Sequence, residues 1–349
     1  MKILGIESSC DETAAAVVEN GRHLISNVVN SQIDIHSAFG GVVPEVAARS
    51  HLEVILPVID KAVQDAGGWN EIDAIACTTM PGLIGSLLIG SLTARTLALL
   101  KNKPFYPIHH VEAHVYANFL DGDAPRFPLL ALIVSGGHSQ IVLFRDHGDY
   151  ELIGQTADDA VGEAFDKVAK ILGLPYPGGP SIAKAAEHGD PLKYSFPKAK
   201  MAGKYDFSFS GLKTAVLRAV QSECGKDHTY PSNALSALLT PAQCNDFAAS
   251  FQHVAVETLV DKVIAAFDEF APKSVVIAGG VAANQELRRQ LAARLPIKIT
   301  FPDPQFCTDN AAMVATLGYY VATGSEPTDP RDVELFPSIS MTKTAWKLN

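Results

Sequence analysis

The sequence predicts an α/β protein in which one β-β-β-α-β-α pattern is written twice. Three observations point to it. Short apolar and β-branched runs punctuated by Gly, Asn and Asp read as strands. Longer runs with apolar residues three and four apart read as helices. The order of these elements then recurs in the second half of the 349 residues. A chain this long exceeds a single core, and 47% hydrophobic against 19% charged residues is enough for two. We therefore expect an N-terminal lobe over 1–127, a C-terminal lobe over 128–325 and a tail over 326–349. A cleft between lobes is the usual place for a ligand.

In the first block KILGIE, TAAAVVE and HLISNVVNS are strands, the last two joined by a turn at Asn20-Gly21. VPEVAARSHLEVILPVIDKAVQDAG has helical spacing at Leu52, Ile55, Leu56, Ile59 and Val63, with Pro57 marking a kink or a start. IDAIACTT is a buried strand, a helix runs from about Leu83, FYPIH is strand-like, and a helix begins near Val111. In the second block LLALIVSG, SQIVLFR and YELIGQT are strands and DDAVGEAFDKVAKILG is a helix. The strands KSVVIAGG and IKITF then alternate with the helices ANQELRRQLAARL and NAAMVATLGYYVATG. Between them, about 175–243 is rich in Gly, Pro, Lys and aromatics and reads as an inserted subdomain.

Composition narrows the function. GLIGSLLIGSLTARTLALL, Gly82 to Leu100, is the most apolar stretch, yet Arg95 and several Ser, Thr and Gly make it a buried helix, not a membrane span. Five cysteines without a CxxC pair favour reduced thiols in a cytoplasmic protein. The N-terminus turns acidic at once and lacks signal or transit character. A net charge of −10 argues against general nucleic-acid affinity, so such a substrate needs a local basic face or a basic partner. Lys193, Lys198, Lys200, Lys204 and Lys213, interleaved with Tyr194, Phe196, Tyr205, Phe207 and Phe209, are the best such footprint. A solvated loop whose aromatics fill a core accounts for them equally.

Four stretches carry candidate chemistry. IESSCDET (Ile6 to Thr13) ends a buried strand in a turn with Ser8, Ser9, Asp11 and Glu12, which offers N–H groups to a phosphate and carboxylates to a metal or proton. It also suits an ordinary hairpin. VSGGHS (Val134 to Ser139) occupies the same place in the second block, and its two glycines let a ligand approach the backbone. IAGGVAANQEL (Ile277 to Leu287) is a diglycine between strand and helix that suits a nucleotide, with Asn284 at the helix start, but it is not the dinucleotide fingerprint. In HHVEAH, His110 and His114 lie four apart on one helical face, which suits one metal ion, with two surface or capping histidines as the other reading. Glu112 sits about 200° around the helix from His110, so it is not the base of a zinc protease. Asp309, in FCTDNAAM, is the best distant third ligand, and an N-cap is its other reading. Two histidines and a carboxylate leave open positions, as in iron(II) or zinc sites with exogenous ligands.

IESSCDET, GGVVPEVAARSH, PGLIGSLLIG, HHVEAH, VSGGHSQ, GEAFDKVAK, PYPGGP, FSFSGLKTA, AGGVAANQELR and FCTDNAAM together, in this order from Met1 to about Gly324, resemble the TsaD family of tRNA N6-adenosine threonylcarbamoyltransferases, in its bacterial form. The resemblance implies an ASKHA (actin-like ATPase) fold, with two RNase H-like lobes and a nucleotide and metal cleft. It implies transfer of a threonylcarbamoyl group from threonylcarbamoyl-adenylate to the exocyclic amine of the adenosine 3′ of the anticodon, with release of AMP. By position it implies metal ligands His110, His114 and Asp309 for one Fe2+ or Zn2+. Nucleotide or substrate contacts fall on Ile133, Val134, Ser135, Gly136, Gly137, Asp166, Gly179 and Asn284, with ATP, ADP or the acyl-adenylate bound there. Asp11 is the catalytically important acid, with Glu12 beside it. The partners implied are tRNA, a shorter TsaB-type paralogue forming a heterodimer, and a TsaE-type P-loop ATPase. The chain departs from the pattern at Ala183, where some members carry an aspartate. A metallopeptidase, or an ATPase or sugar kinase of the same fold, is the rival reading.

Overall fold

A computed structural model describes residues 1–120 and 122–342; the end of the expected tail, 343–349, lies outside the described residues. The chain begins with β1 (Lys2–Glu7), β2 (Glu12–Glu19) and β3 (His23–Ser31), then a short helix α1 (Ile33–Ser37). The helix α2 (Pro44–Asp65), β4 (Ala74–Met80), α3 (Ile84–Lys101), β5 (Phe105–His109) and α4 (His110–Tyr116) complete the first block. Its five strands form a sheet in the order β3-β2-β1-β4-β5, with β1, β2 and β3 antiparallel and β4 and β5 parallel to the central β1. Every residue of β4 is buried, as a continuous apolar run in a parallel pair requires.

The second block repeats the order. β6 (Leu129–Val134), β7 (Ser139–Asp146) and β8 (Asp149–Gln155) lead into α5 (Val161–Leu172). After α6 (Gly178–Ala186), α7 (Ser210–Glu223) and α8 (Pro241–Phe270) come β9 (Ser274–Ala278), α9 (Gln285–Arg294) and α10 (Ala311–Gly324). The sheet runs β8-β7-β6-β9, with β9 parallel to β6. The expected strand IKITF does not form: apart from an isolated bridge at Thr300, residues 297–301 are irregular, bracketed by Pro296 and Pro302. Proline brings no amide donor to a ladder. The stretch read as an insertion is helical in part, and the 30-residue α8 follows it behind a capping box of Thr240 with Gln243.

Two compact units result: residues 1–127, 144–151 and from 300 on, and residues 128–143 with 152–299. Although α10 comes last in the sequence, it packs on β1, β2 and β4 of the first sheet. The approach is close. A Cβ on Gly5 of β1 would stand 2.3 Å from Ala311 O, and one on Gly318 of α10 would stand 2.5 Å from Ala76 Cβ.

Two helices present their sides differently from the sequence expectation. α2 runs unbroken through Pro57 and buries Ala47, His51, Ile55, Val58, Ile59, Ala62 and Val63. Leu52 and Leu56, counted in its apolar row, are 66% and 60% exposed. The sequence predicts α3 as a buried helix, and it is buried along one side only. It turns Ser86, Gly90, Ser91, Ala94 and Ala98 inward with Leu87, and leaves Ile84, Leu88 and Leu92 exposed. Small residues face inward because the chain at Ser8 and Ser9 approaches too closely for larger ones: a Cβ on Gly90 would lie 2.1 Å from Ser8 Oγ. α3 is the one described helix long and apolar enough to cross a membrane, and a third of it is buried inside the protein.

Candidate functional site

α4 begins where β5 ends, with His109 as N-cap accepting from Glu112 N. One turn on, His110 and His114 share a face, their rings edge to face with centroids 4.7 Å apart. Asp309 reaches them from just ahead of α10. Asn310 caps that helix by accepting from Met313 N, so the N-cap reading of Asp309 falls away. Asp309 Oδ1 lies 3.2 Å from His114 Nε2 and 3.5 Å from His110 Nε2. The three donors stand within 4.8 Å of one another.

The surroundings fit a cation. Glu7 Oε2 accepts from His110 Nδ1 at 3.1 Å and from Thr78 Oγ1 at 2.6 Å, which turns Nε2 of His110 to the cluster, where it would bind a cation on losing its proton. Glu7 is fully buried at the end of β1. Burial alone would strip a proton from His110, but Asp309 and Glu7 outweigh it and hold the ring charged, up to about 9. Burial, Asp309 and Asp11 together push Glu12 up to about 9. The corner thus holds more carboxylates than its two imidazoles balance, and a metal ion would supply the missing charge. The sequence reading missed Glu7. Its only signal is an acid ending an otherwise apolar strand.

The Ser8–Glu12 turn stands beside this cluster. Ser9 Oγ is 3.1 Å from His110 Nδ1, and Leu83 N donates to Ser9 O at 2.8 Å. Gln32 N donates to Asp11 O and Ser31 Oγ to Glu12 Oε1, both at 3.1 Å. Glu112 faces the other way, as the helical geometry requires. It is fully buried and accepts from Tyr150 Oη at 3.2 Å. It is not placed to activate water at the cluster.

In the second unit, Ile133 and Val134 end β6, and Ser135, Gly136 and Gly137 turn into β7. A Cβ on Gly162 of α5 would lie 2.6 Å from Ser135 O, and one on Gly279 would lie 2.4 Å from Val134 O. The loops after β6 and β9 and the start of α5 therefore converge. Four residues along α5, Asp166 Oδ1 accepts from Gly178 N at 2.7 Å, next to Gly179. At Gly136, Gly137, Gly179 and Gly280 a Cβ would meet nothing within 4 Å, which leaves room for a ligand against bare backbone. Asn284 is the N-cap of α9, accepting from Leu287 N, and its amide donates to Gln252 Oε1 at 2.8 Å.

With these arrangements in hand, comparison with known proteins is direct. Residues 23–316 match the family model TsaD, tRNA N6-adenosine threonylcarbamoyltransferase. The chain belongs to the TsaD family. Relatives bearing that enzyme name include proteins of Thermomicrobium roseum, 50% identical over 92% of both chains, and Symbiobacterium thermophilum, 51% identical over 91% of both. A Dehalococcoides mccartyi relative is 48% identical over 98% of this chain and all of its own. Among solved structures, HypF in a phosphate- and nucleotide-bound form superposes with a TM-score of 0.59 at 13% identity, over 94% of this chain and 47% of its own. The Clostridium difficile activator of 2-hydroxyisocaproyl-CoA dehydratase, with bound ADPNP, gives 0.50 at 13% identity, over 93% and 96%. At such identities the likeness is one of fold, and that fold is of the ASKHA type.

Of the two readings of this TsaD chain's basic stretch, the structure favours the one in which its aromatics fill a core. Phe207 and Phe209 are fully buried, and Tyr194 stacks on Phe247 at 3.8 Å. Lys198 pairs with Glu257 and Asp261, Lys204 with Glu269, and Lys213 with Asp159. The buried aromatics are not stacking platforms, and three of the five lysines are already paired with acids. For the metal cluster, the geometry predicts that zinc-loaded His114→Ala retains less than about a tenth of the metal held by the unaltered chain, while Glu112→Gln retains all of it. Elemental analysis after gel filtration reads both. Equal retention in all three would contradict the assigned donors.

Proposed function

We propose that this chain transfers the threonylcarbamoyl group of threonylcarbamoyl-adenylate to the exocyclic amine of the adenosine 3′ of the anticodon, in tRNAs that read codons beginning with A, and releases AMP. The His110–His114–Asp309 cluster beside a turn bearing two carboxyls, in a chain of the TsaD family, carries the reading. The amine nitrogen attacks the carbamoyl carbon, the bond from that carbon to the phosphate oxygen breaks, and the amine gives up a proton. Asp11 accepts that proton as general base. Glu12, held protonated by burial and by its carboxylate neighbours, stands next to it as a hydrogen-bond donor. His110, His114 and Asp309 hold one Fe2+ or Zn2+, which when bound supplies Lewis-acid polarisation and a template for the substrate's oxygens. Glu7 fixes the ring of His110 for that purpose. Ile133, Val134, Ser135, Gly136, Gly137, Asp166, Gly179 and Asn284 take the nucleotide part, as ATP, ADP or the acyl-adenylate. The open glycines among them and the ASKHA fold support this. A peptidase reading lacks its base, since Glu112 is turned away and bonded to Tyr150.

The partners follow from charge and shape. A chain of net charge −10 gains from company on tRNA, and the pairing of Lys198, Lys204 and Lys213 with acids leaves that need standing. Leu52 and Leu56 of α2 and Ile84, Leu88 and Leu92 of α3 stand exposed on two helices that pack together. Such an apolar face is the seat for the TsaB-type paralogue, with the TsaE-type ATPase joining in the cytoplasm. Leu52→Asp combined with Leu56→Asp is expected to stop co-elution with the paralogue and leave the metal content unchanged; undiminished complex would place the partner elsewhere.

For the reaction, the chain and its partners are given threonylcarbamoyl-adenylate and unmodified tRNA, and nucleosides are read by mass spectrometry. Modified adenosine is expected with the unaltered chain and none with Asp11→Ala of normal metal content. No modification by the unaltered chain would refute the activity, and full modification by Asp11→Ala would refute the role of Asp11.

A further inference from the structure

Among the buried residues of α2, His51 alone is polar: Ala47, Ile55, Val58, Ile59, Ala62 and Val63 surround its place in the row. It is fully buried, where an apolar side chain of similar size would fill the space without losing hydration. Both ring nitrogens are engaged. Nδ1 lies 2.7 Å from Thr13 Oγ1, and Nε2 lies 2.9 Å from Cys10 O. A carbonyl only accepts, so Nε2 carries the hydrogen, and neutral Nδ1 accepts from the Thr13 hydroxyl. Burial, the largest influence on the ring, keeps it neutral and so suited to both bonds.

The two partners are not any two residues. Cys10 and Thr13 flank Asp11 and Glu12, so one rigid ring holds both ends of the four-residue turn whose crown carries the two acids. Other bonds hold single points of this turn. Ser86 Oγ shares the Cys10 carbonyl at 3.2 Å, and Gln32 N takes that of Asp11. Among the described bonds, only those of His51 span the turn from one flank to the other.

We infer that His51 is a positioning residue for the transfer reaction, setting the Cys10–Thr13 turn so that Asp11 and Glu12 face the metal-ligand cluster. This rests on the catalytic role proposed above for Asp11. His51 acts through the turn and touches neither substrate nor metal. Its loss therefore lowers turnover without lowering substrate or metal binding.

Three variants test this in the complete complex. His51→Phe keeps the ring's bulk and removes both bonds, Thr13→Val removes one, and His51→Gln offers an amide donor and a carbonyl acceptor in their place. The expected fall in kcat for His51→Phe is about ten- to a hundredfold, the range found for residues that orient a catalytic group from behind. KM for tRNA and for the acyl-adenylate stays within about twofold, since uniform binding is untouched. Thr13→Val falls between, and His51→Gln recovers most of the rate. Adding Asp11→Ala to His51→Phe costs nothing beyond Asp11→Ala alone, because the two act as one unit. Wild-type kcat in His51→Phe overturns the inference, as does a loss that appears in KM or metal content, or one that His51→Gln leaves unrepaired. Should His51→Phe not fold, Thr13→Val carries the same test. Backbone amide exchange over residues 10–13 separates this from the reading of the reaction. Faster exchange in Thr13→Val and His51→Phe supports the positioning role even if the complex transfers nothing, and unchanged exchange overturns it even if the complex is active.

Discussion

The close approach of α10 to β1 is the contact from which the candidate metal site follows. With no side chain at Gly5, the backbone of Ala311 and Ala315 lies where a Cβ would be, 2.3 Å and 2.6 Å away. Gly318 does the same against Ala76 a few residues later. The start of α10 is thereby fixed on the central strand of the first sheet, and Asp309, two residues ahead of it, comes within reach of α4. Asn310 takes the capping bonds of the helix, which leaves the Asp309 carboxylate directed at His110 and His114. A ligand set whose members lie about 200 residues apart in sequence thus depends on two missing methyl groups.

The second constraint is electrostatic. Glu7, Asp309, Asp11 and Glu12 gather around two imidazoles in a largely buried corner, an arrangement that costs folding free energy unless a cation joins it. The protein moderates that cost with hydrogen bonds to Glu7 from Thr78, Ser9 and His110, and by keeping a proton on Glu12. Such a cluster is poor structural engineering and good preparation for binding a metal and moving a proton. The helices α2 and α3 connect it to the surface. Their inner faces grip the turn through His51, Ser86 and the bare backbone at Gly90, while their outer faces carry Leu52, Leu56, Leu88 and Leu92 exposed. A partner seated on these helices would bear on the same two elements that hold the turn of Asp11 and Glu12.

What the sequence disclosed was local, and what it hid was set by distant contacts. The four-residue spacing of His110 and His114 and the rotation that turns Glu112 away both follow from helical geometry, and both stand in the structure. So do the three opening strands and the helix α5, because their periodicities are strong. The roles of Glu7 and His51 are not legible locally, since their partners Thr13, Cys10, Thr78 and His110 lie 38 to 103 residues away. IKITF looked like a strand until its flanking prolines are counted. α3 is only half buried because mostly small residues, with Leu87 as the one fully buried leucine, face the turn at Ser8 and Ser9. Two of the lysines in the basic stretch, Lys198 and Lys204, find acids on α8, whose sequence signal is its capping box at Thr240.

The central claim is that two imidazoles and one carboxylate, with no sulfur, form the protein's share of a metal site. Cys10 lies near enough to Asp309 to feel its charge, so a thiolate ligand is the concrete rival. X-ray absorption at the zinc edge of the zinc-loaded chain decides between them. The geometry predicts a first shell of nitrogen and oxygen only, with the outer scattering of two imidazole rings, unchanged in Cys10→Ser. A sulfur scatterer near 2.3 Å that vanishes in that variant, or a shell without imidazole, would contradict the account.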